Sequence, residues 1–247
     1  ERIHFTGSIN SGMSGGPVVN KQAEVVGINV ATSGNSIGFL VPHDKLENLY
    51  QNFLAGPPES IEQQMAAQLT ANQNKLMDAI LNSPWQAKSL GKHGMIPIID
   101  VPFIRCWGDS NADKADALIL AAVANCSLDE NTYLSSHFFT GAMEMEFRYM
   151  EAKDIGSNKF YHLYQQQIAH AGAGNRAGKD NVTQYQCHHD LVMPDNQKIN
   201  NKSILCTRAY KKFPDLFDVL YLSASIDKNK QALVSHFTAA GISQKMH

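Results

Sequence analysis

The chain has 247 residues, 21 of them Lys or Arg and 23 Asp or Glu, for a formal net charge of −2. That near balance offers no electrostatic footprint for nucleic acid, and no run of basic residues marks a membrane surface. Apolar residues make up 43% of the chain, enough for one or two packed domains. No apolar stretch approaches the roughly 20 residues that span a bilayer.

In chain order, the first informative run is Gly12-Met13-Ser14-Gly15-Gly16-Pro17. A serine hydroxyl is a weak nucleophile until a base takes its proton. Acyl transfer also needs N–H donors aimed at the developing oxyanion. Glycines around a serine supply the positive φ and close backbone approach that such a site demands. Next, Val18-Val19-Asn20, a turn at Lys21-Gln22-Ala23 and Glu24 to Val30 predict a hairpin of two apolar strands. After the polar loop 32–35, Ser36 to Pro42 predicts another strand, and Asp44 to Leu54 has helical spacing.

The string around Ser14 resembles the nucleophile loop of trypsin/chymotrypsin-like serine proteases, whose usual form is Gly-Asp/Asn-Ser-Gly-Gly-Pro. The succession Gly27-Ile28-Asn29, Ile37-Gly38-Phe39, Val41-Pro42 and then a helix is similar to the end of bacterial, HtrA-like members. The resemblance covers about residues 3–54. It implies that 1–56 is the C-terminal part of a trypsin-like protease domain, an incomplete second β-barrel. Ser14 would be the nucleophile, and the amides of Gly12 and Ser14 the oxyanion hole. Ser8 falls where the floor of the primary specificity pocket would lie, and a neutral residue there removes the reason for basic specificity. The strand Asn29-Val30-Ala31-Thr32 would form one pocket wall and bond the substrate main chain, with Val30, Ala31 and Thr32 binding substrate by strand addition. The His and Asp of the triad lie upstream in that family, so a missing N-terminal segment is expected to supply them. Met13 departs from the usual Asp or Asn, and a thioether cannot pair with a freed amine during zymogen activation.

Local histidines do not fill the gap. His4 leads into the loop and His43 starts the helix, neither in the place of the family's base. His188-His189-Asp190 lies in another region, and adjacent residues of a strand point to opposite faces. No catalytic role is assigned to any His.

From Pro57 the character changes. Ser60 is placed as a helix N-cap, and Ile61, Met65, Leu69, Leu76 and Ile80 predict an amphipathic linker helix laid across the barrel, within a linker of 57–85. Residues 86–247 read as a β-rich (α+β) accessory domain, for which no family is recognised. The Pro-interrupted stretch 95–106 predicts an edge. Asp116 to Cys126 is ambiguous between strand and helix, and Met143 to Met150 is a half-buried strand. Lys159 to Tyr164 and Ser203 to Tyr210 are further strand candidates. Ala171 to Gly178 reads as a flexible loop, and Asp227 to Ala240, closed by Gly241, as a final helix.

Cys106, Cys126, Cys187 and Cys206 lack Cys-x-x-Cys spacing and any redox motif, so zinc is not expected, and the serine-protease resemblance requires no metal or organic cofactor. Of three possible pairings, Cys106–Cys126 with Cys187–Cys206 is favoured because each joins strands close in sequence. Buried free thiols in a cytosolic protein are the alternative. Disulfides imply a secreted or periplasmic protein.

The fold class expected is therefore mainly β with some α. The function expected is the C-terminal portion of a secreted serine endopeptidase acting on a protein or peptide substrate through an acyl-enzyme on Ser14. The alternative is a catalytically inactive binding or scaffold protein working through its β-rich domain. Residues 1–54 are expected not to fold alone but to need the missing segment or a second chain to complete the barrel, and the 247-residue chain by itself to be inactive.

Overall fold

The computed structural model describes residues 2–33, 37–57, 60–92, 94–169, 171–193, 200–226 and 228–243. The chain divides into two units, 1–61 and 62–247, and is mainly β. Unit 1 contains β1 (Ile3–Phe5), β2 (Pro17–Val19), β3 (Val25–Thr32), β4 (Gly38–Pro42) and α1 (His43–Ala55). Its antiparallel sheet has the order β1-β4-β3-β2. The expected hairpin is present as β2 and β3. Its turn is set by Asn20, whose Oδ1 accepts from the N–H groups of Gln22 at 2.9 Å and Glu24 at 3.0 Å. The expected strand starting at Ser36 is described only from Ile37; Gly34, Asn35 and Ser36 lie outside the described residues.

This unit has little interior. Leu40, 1% exposed, is the single buried apolar side chain among its described residues. Helix α1 carries Leu46, Leu49, Tyr50, Phe53 and Leu54 at helical spacing, yet all five are exposed.

Helix α2 (Ile61–Leu81), close to the linker helix expected, begins at the boundary and runs into unit 2. Its buried face starts later than the sequence stripe suggested: Leu69, Gln73, Met77 and Ile80 are buried, whereas Ile61 and Met65 are exposed. Leu69 packs with Phe138, Tyr210 and Leu216, while Met77 and Ile80 pack with Leu128, Met143 and Ile242. The helix therefore buries its stripe in the core of unit 2, whereas the periodicity alone had suggested a helix laid across the barrel.

The hairpin β5 (Trp85–Leu90) and β6 (Gly94–Ile99) follows, then β7 (Arg105–Ser110), β8 (Ile119–Ser135) and β9 (Phe138–Ala152). After α3 (Ser157–Ala169) come β10 (Gln186–Val192), β11 (Asn200–Ala209), β12 (Leu216–Ile226) and β13 (Gln231–Ser243). Seven of these strands form an antiparallel sheet in the order β10-β11-β12-β13-β9-β8-β7. The ambiguous stretch 116–126 is strand from Ile119 onward, in β8; the strand expected at 143–150 falls in β9, and that expected at 203–210 falls in β11 as far as Ala209.

Two expectations are overturned. Lys159 to Tyr164 lies in α3, where Phe160 and Tyr164, one turn apart, are buried against Met150, Ala232 and Val234. The segment expected as the final helix is β13; Asp227 lies outside the described residues. Leu233, Val234 and Phe237 do fit a helical period. In the fold, however, β13 sits between β12 and β9 and packs apolar side chains from both faces, Ala232 and Val234 against Phe160 and Tyr164, and Leu233 and Phe237 against the cluster of Met145 and Phe147, so its sequence loses the alternation of a half-exposed strand.

Both edge strands of the large sheet are cross-linked. Cys106–Cys126 joins β7 to β8, and Cys187–Cys206 joins β10 to β11, each between directly opposed residues. With about 20 residues enclosed, each contributes about 3 kcal/mol in the chain-entropy account. The loop 171–178, expected to be flexible, is tied down through Asn175. Its Nδ2 donates to Phe139 O, Tyr210 Oη and Asp218 Oδ1 at 2.9–3.1 Å. Tyr210 Oη donates to Asp218 Oδ1 at 2.6 Å and Arg208 Nε to Asp218 Oδ2 at 2.8 Å. Burial pushes the Asp218 carboxyl above its usual range, opposed by Tyr210, Arg208 and Asn175. Among the described residues, no helix is long and apolar enough to cross a membrane.

Candidate active site

Two consecutive reverse turns build the loop that carries Ser14. Met13 N–H donates to Asn10 O and Gly16 N–H to Met13 O, both at 3.1 Å, so Met13 ends one turn and starts the next. The third residues of the two turns are Gly12 and Gly15, with φ of +92° and +82°. A Cβ is strained at such angles, and this explains both glycines, because an added Cβ at either would meet nothing within 4 Å. Gly16 is close-packed in a different way: an added Cβ would lie 3.1 Å from Met13 O, so that carbonyl would have to give by a few tenths of an ångström.

The loop is clamped to β3 through backbone alone. Gly15 N–H donates to Asn29 O at 2.8 Å, and Asn29 N–H donates to Gly16 O at 3.0 Å. Asn29 is 3% exposed, and its Oδ1 has no partner. Met13 Sδ accepts from Asn10 N–H at 3.4 Å. Ser14 stands exposed in the second turn. Among the described residues, neither the N–H of Gly12 nor that of Ser14 is hydrogen-bonded within the protein, and Ser14 Oγ has no partner.

The neighbouring strand is open on one side. β2 pairs with β3 only between Val25 and Ile28, whereas β4 pairs with it as far as Thr32. Past Asn29, the β3–β4 register skips Val30, a bulge residue that is 42% exposed, and resumes at Ala31 and Thr32, while among the described residues no strand pairs on the other edge. Thr32 Oγ1 donates to Ile37 O at 3.0 Å and closes the base of the following loop. Ser8 is exposed between β1 and the turns.

The structure thus joins the Ser14 loop to the strand of Val30, Ala31 and Thr32, with Asn29 as the link. Sequence reading named that strand, Asn29 included, as a wall, but not the backbone bonds of Asn29 and Asn10 that shape the loop. The signal for Asn10 was the Asn10-Ser11-Gly12 turn composition. His4 and His43 are exposed on β1 and α1, and His188, His189 and Asp190 are exposed on β10 in the other unit. Among the described residues, no three His, Cys, Asp or Glu side chains converge as a metal site.

Comparison with known proteins finds local similarity to proteases. Over 90 residues the chain is 36% identical to a Synechocystis protein named as a serine protease, HhoA, the match covering 34% of this chain. Over 48 residues, 19% of this chain, it is 42% identical to an Arabidopsis thaliana protein named as a Do-like protease, number 14. The chain spans less than a quarter of the length of these relatives, 23% and 11% respectively. No family model and no solved structure matches. The similarity is partial, and it is to Do-like serine proteases.

Proposed function

We propose that unit 1 carries the nucleophile of a trypsin-like serine endopeptidase, with Ser14 attacking a peptide carbonyl. The observation that carries this reading is the geometry of the loop: an exposed serine flanked by two positive-φ glycines, with the amides of Gly12 and Ser14 left unpaired. Those two N–H groups are the donors an oxyanion needs as the carbonyl carbon becomes tetrahedral. The acyl-enzyme then forms on Ser14 Oγ as the leaving amine takes a proton, and water releases it. The uncovered edge of Val30 and Ala31 supports pairing with an extended substrate main chain, and the exposed, neutral Ser8 fits a pocket without a fixed negative charge.

Ser14 Oγ lacks a base among the described residues, so the His and Asp come from polypeptide that docks on unit 1. The exposed apolar stripe of α1, with Leu49, Phe53 and Leu54, supports such a completing segment or second chain. The disulfides in unit 2 fit a secreted or periplasmic location. A second reading, a binding or scaffold protein acting through unit 2, is favoured by that same missing base. A fluorophosphonate probe separates the two: the first expects an adduct on Ser14 once the protein is complete, the second expects none.

A further inference from the structure

The large sheet of unit 2 has one face closed by α2 and the β5–β6 hairpin and another that is only partly covered. Directly opposed residues of antiparallel strands share a face. On the second face the register runs Trp107, Asn125, Glu146, His236 and Leu222 across five strands. One step along lies the row Ser127, Glu144 and Thr238. Three cavities open here, of about 370, 280 and 90 Å³, and Glu144 lines all of them.

The charges on this face are unevenly satisfied. Glu146 is paired with Arg148 at 2.9 Å, and Arg148 also donates to Gln167 at 2.7 Å. Glu144 has no ion pair or hydrogen bond among the described residues. His236, beside it in the two larger cavities, has its Nε2 enclosed with no partner. Trp107, 54% exposed, lines the largest cavity.

We propose that this groove binds an organic cation, an ammonium or guanidinium group, between the Glu144 carboxylate and the Trp107 ring. Such a group carries several N–H donors and no acceptor. It can donate to Glu144 and to an unprotonated Nε2 of His236 while its charge lies over the indole face. A neutral sugar would fill the space and stack on Trp107, but it would leave the unpaired carboxylate uncompensated. The same chemistry is presented by a basic side chain of a polypeptide or by a polyamine. The site is separate from Ser14 and does not depend on the protease reading.

The test is calorimetric titration of the whole chain with three probes: a short arginine-containing peptide, spermidine and a neutral oligosaccharide. Saturable binding of the peptide alone assigns the cation to a polypeptide; binding of spermidine alone assigns it to a polyamine. Either supports the proposal if E144Q weakens binding about tenfold or more and W107A about two- to tenfold. Both side chains are exposed, so these variants should keep the far-UV circular dichroism of the parent, and Ser14→Ala should bind unchanged. No saturable binding of either cation, equal affinity in E144Q, or saturation by the oligosaccharide alone overturns it.

Discussion

Units 1 and 2 are both antiparallel β structures, but they are held by different means. Unit 2 packs three clusters of buried side chains, pins both sheet edges with disulfides and locks a loop through a buried polar network. Unit 1 buries a single apolar side chain, Leu40, among its described residues, and leaves the stripe of α1 uncovered. What order the Ser14 loop has comes from two turns, two strained-angle positions filled by glycine, and two backbone bonds to Asn29. The contrast teaches that a loop's geometry can be encoded locally, in turns and glycines, even where the unit around it buries a single apolar side chain among its described residues.

The sharpest break of this comparison is at Asp218. Asp218→Ala leaves Arg208, whose side chain is 11% exposed, without its counter-ion. Unit 2 should lose about 3–5 kcal/mol, read as a lower urea midpoint, while a probe placed on unit 1 should not move. Next in size, the double replacement Cys187→Ser with Cys206→Ser frees edge strand β10 and should cost about 2–4 kcal/mol by the same measurement. In unit 1, Gly15→Ala forces a Cβ onto φ +82°. It should cost about 1–2 kcal/mol and suppress probe labelling of Ser14, without touching unit 2.

A last effect is confined to alkaline pH and absent near neutrality. Burial is the largest cause that pushes Tyr149, Tyr164 and Tyr185, all in unit 2, up to about 12. The folded state then holds protons that the unfolded state releases near pH 10. Stability is therefore fully present below pH 10 and falls as pH rises from about 10 to about 12. Thermal melts of unit 2 across that range should shift downward, with tyrosinate absorbance appearing late.

How much was legible in the sequence divides along the same line. The Ser14 loop, the β2–β3 hairpin, α1, and strands β9 and β11 are local patterns: fixed turn residues, strict alternation or a helical stripe. The disulfide pairing was legible because each pair is close in sequence. β13 was misread because a strand that packs apolar side chains from both faces has no period to distinguish it from a helix. α3 was misread because Lys159-Phe160-Tyr161-His162-Leu163-Tyr164 is rich in aromatic residues that favour strands, and tertiary packing of Phe160 and Tyr164 overrode that preference. The groove around Glu144 was invisible because Trp107, Ser127 and His236 meet only through register across four strands.

The central claim is that Ser14 is a nucleophile whose base arrives from outside the described residues. Reaction of the full gene product with a fluorophosphonate, followed by mass spectrometry of its peptides, tests this most directly. One adduct is expected, on Ser14, lost in Ser14→Ala and absent when the 247-residue chain is treated alone. An unmodified Ser14 in the full product, with unit 1 folded and other serines equally unreactive, would contradict it.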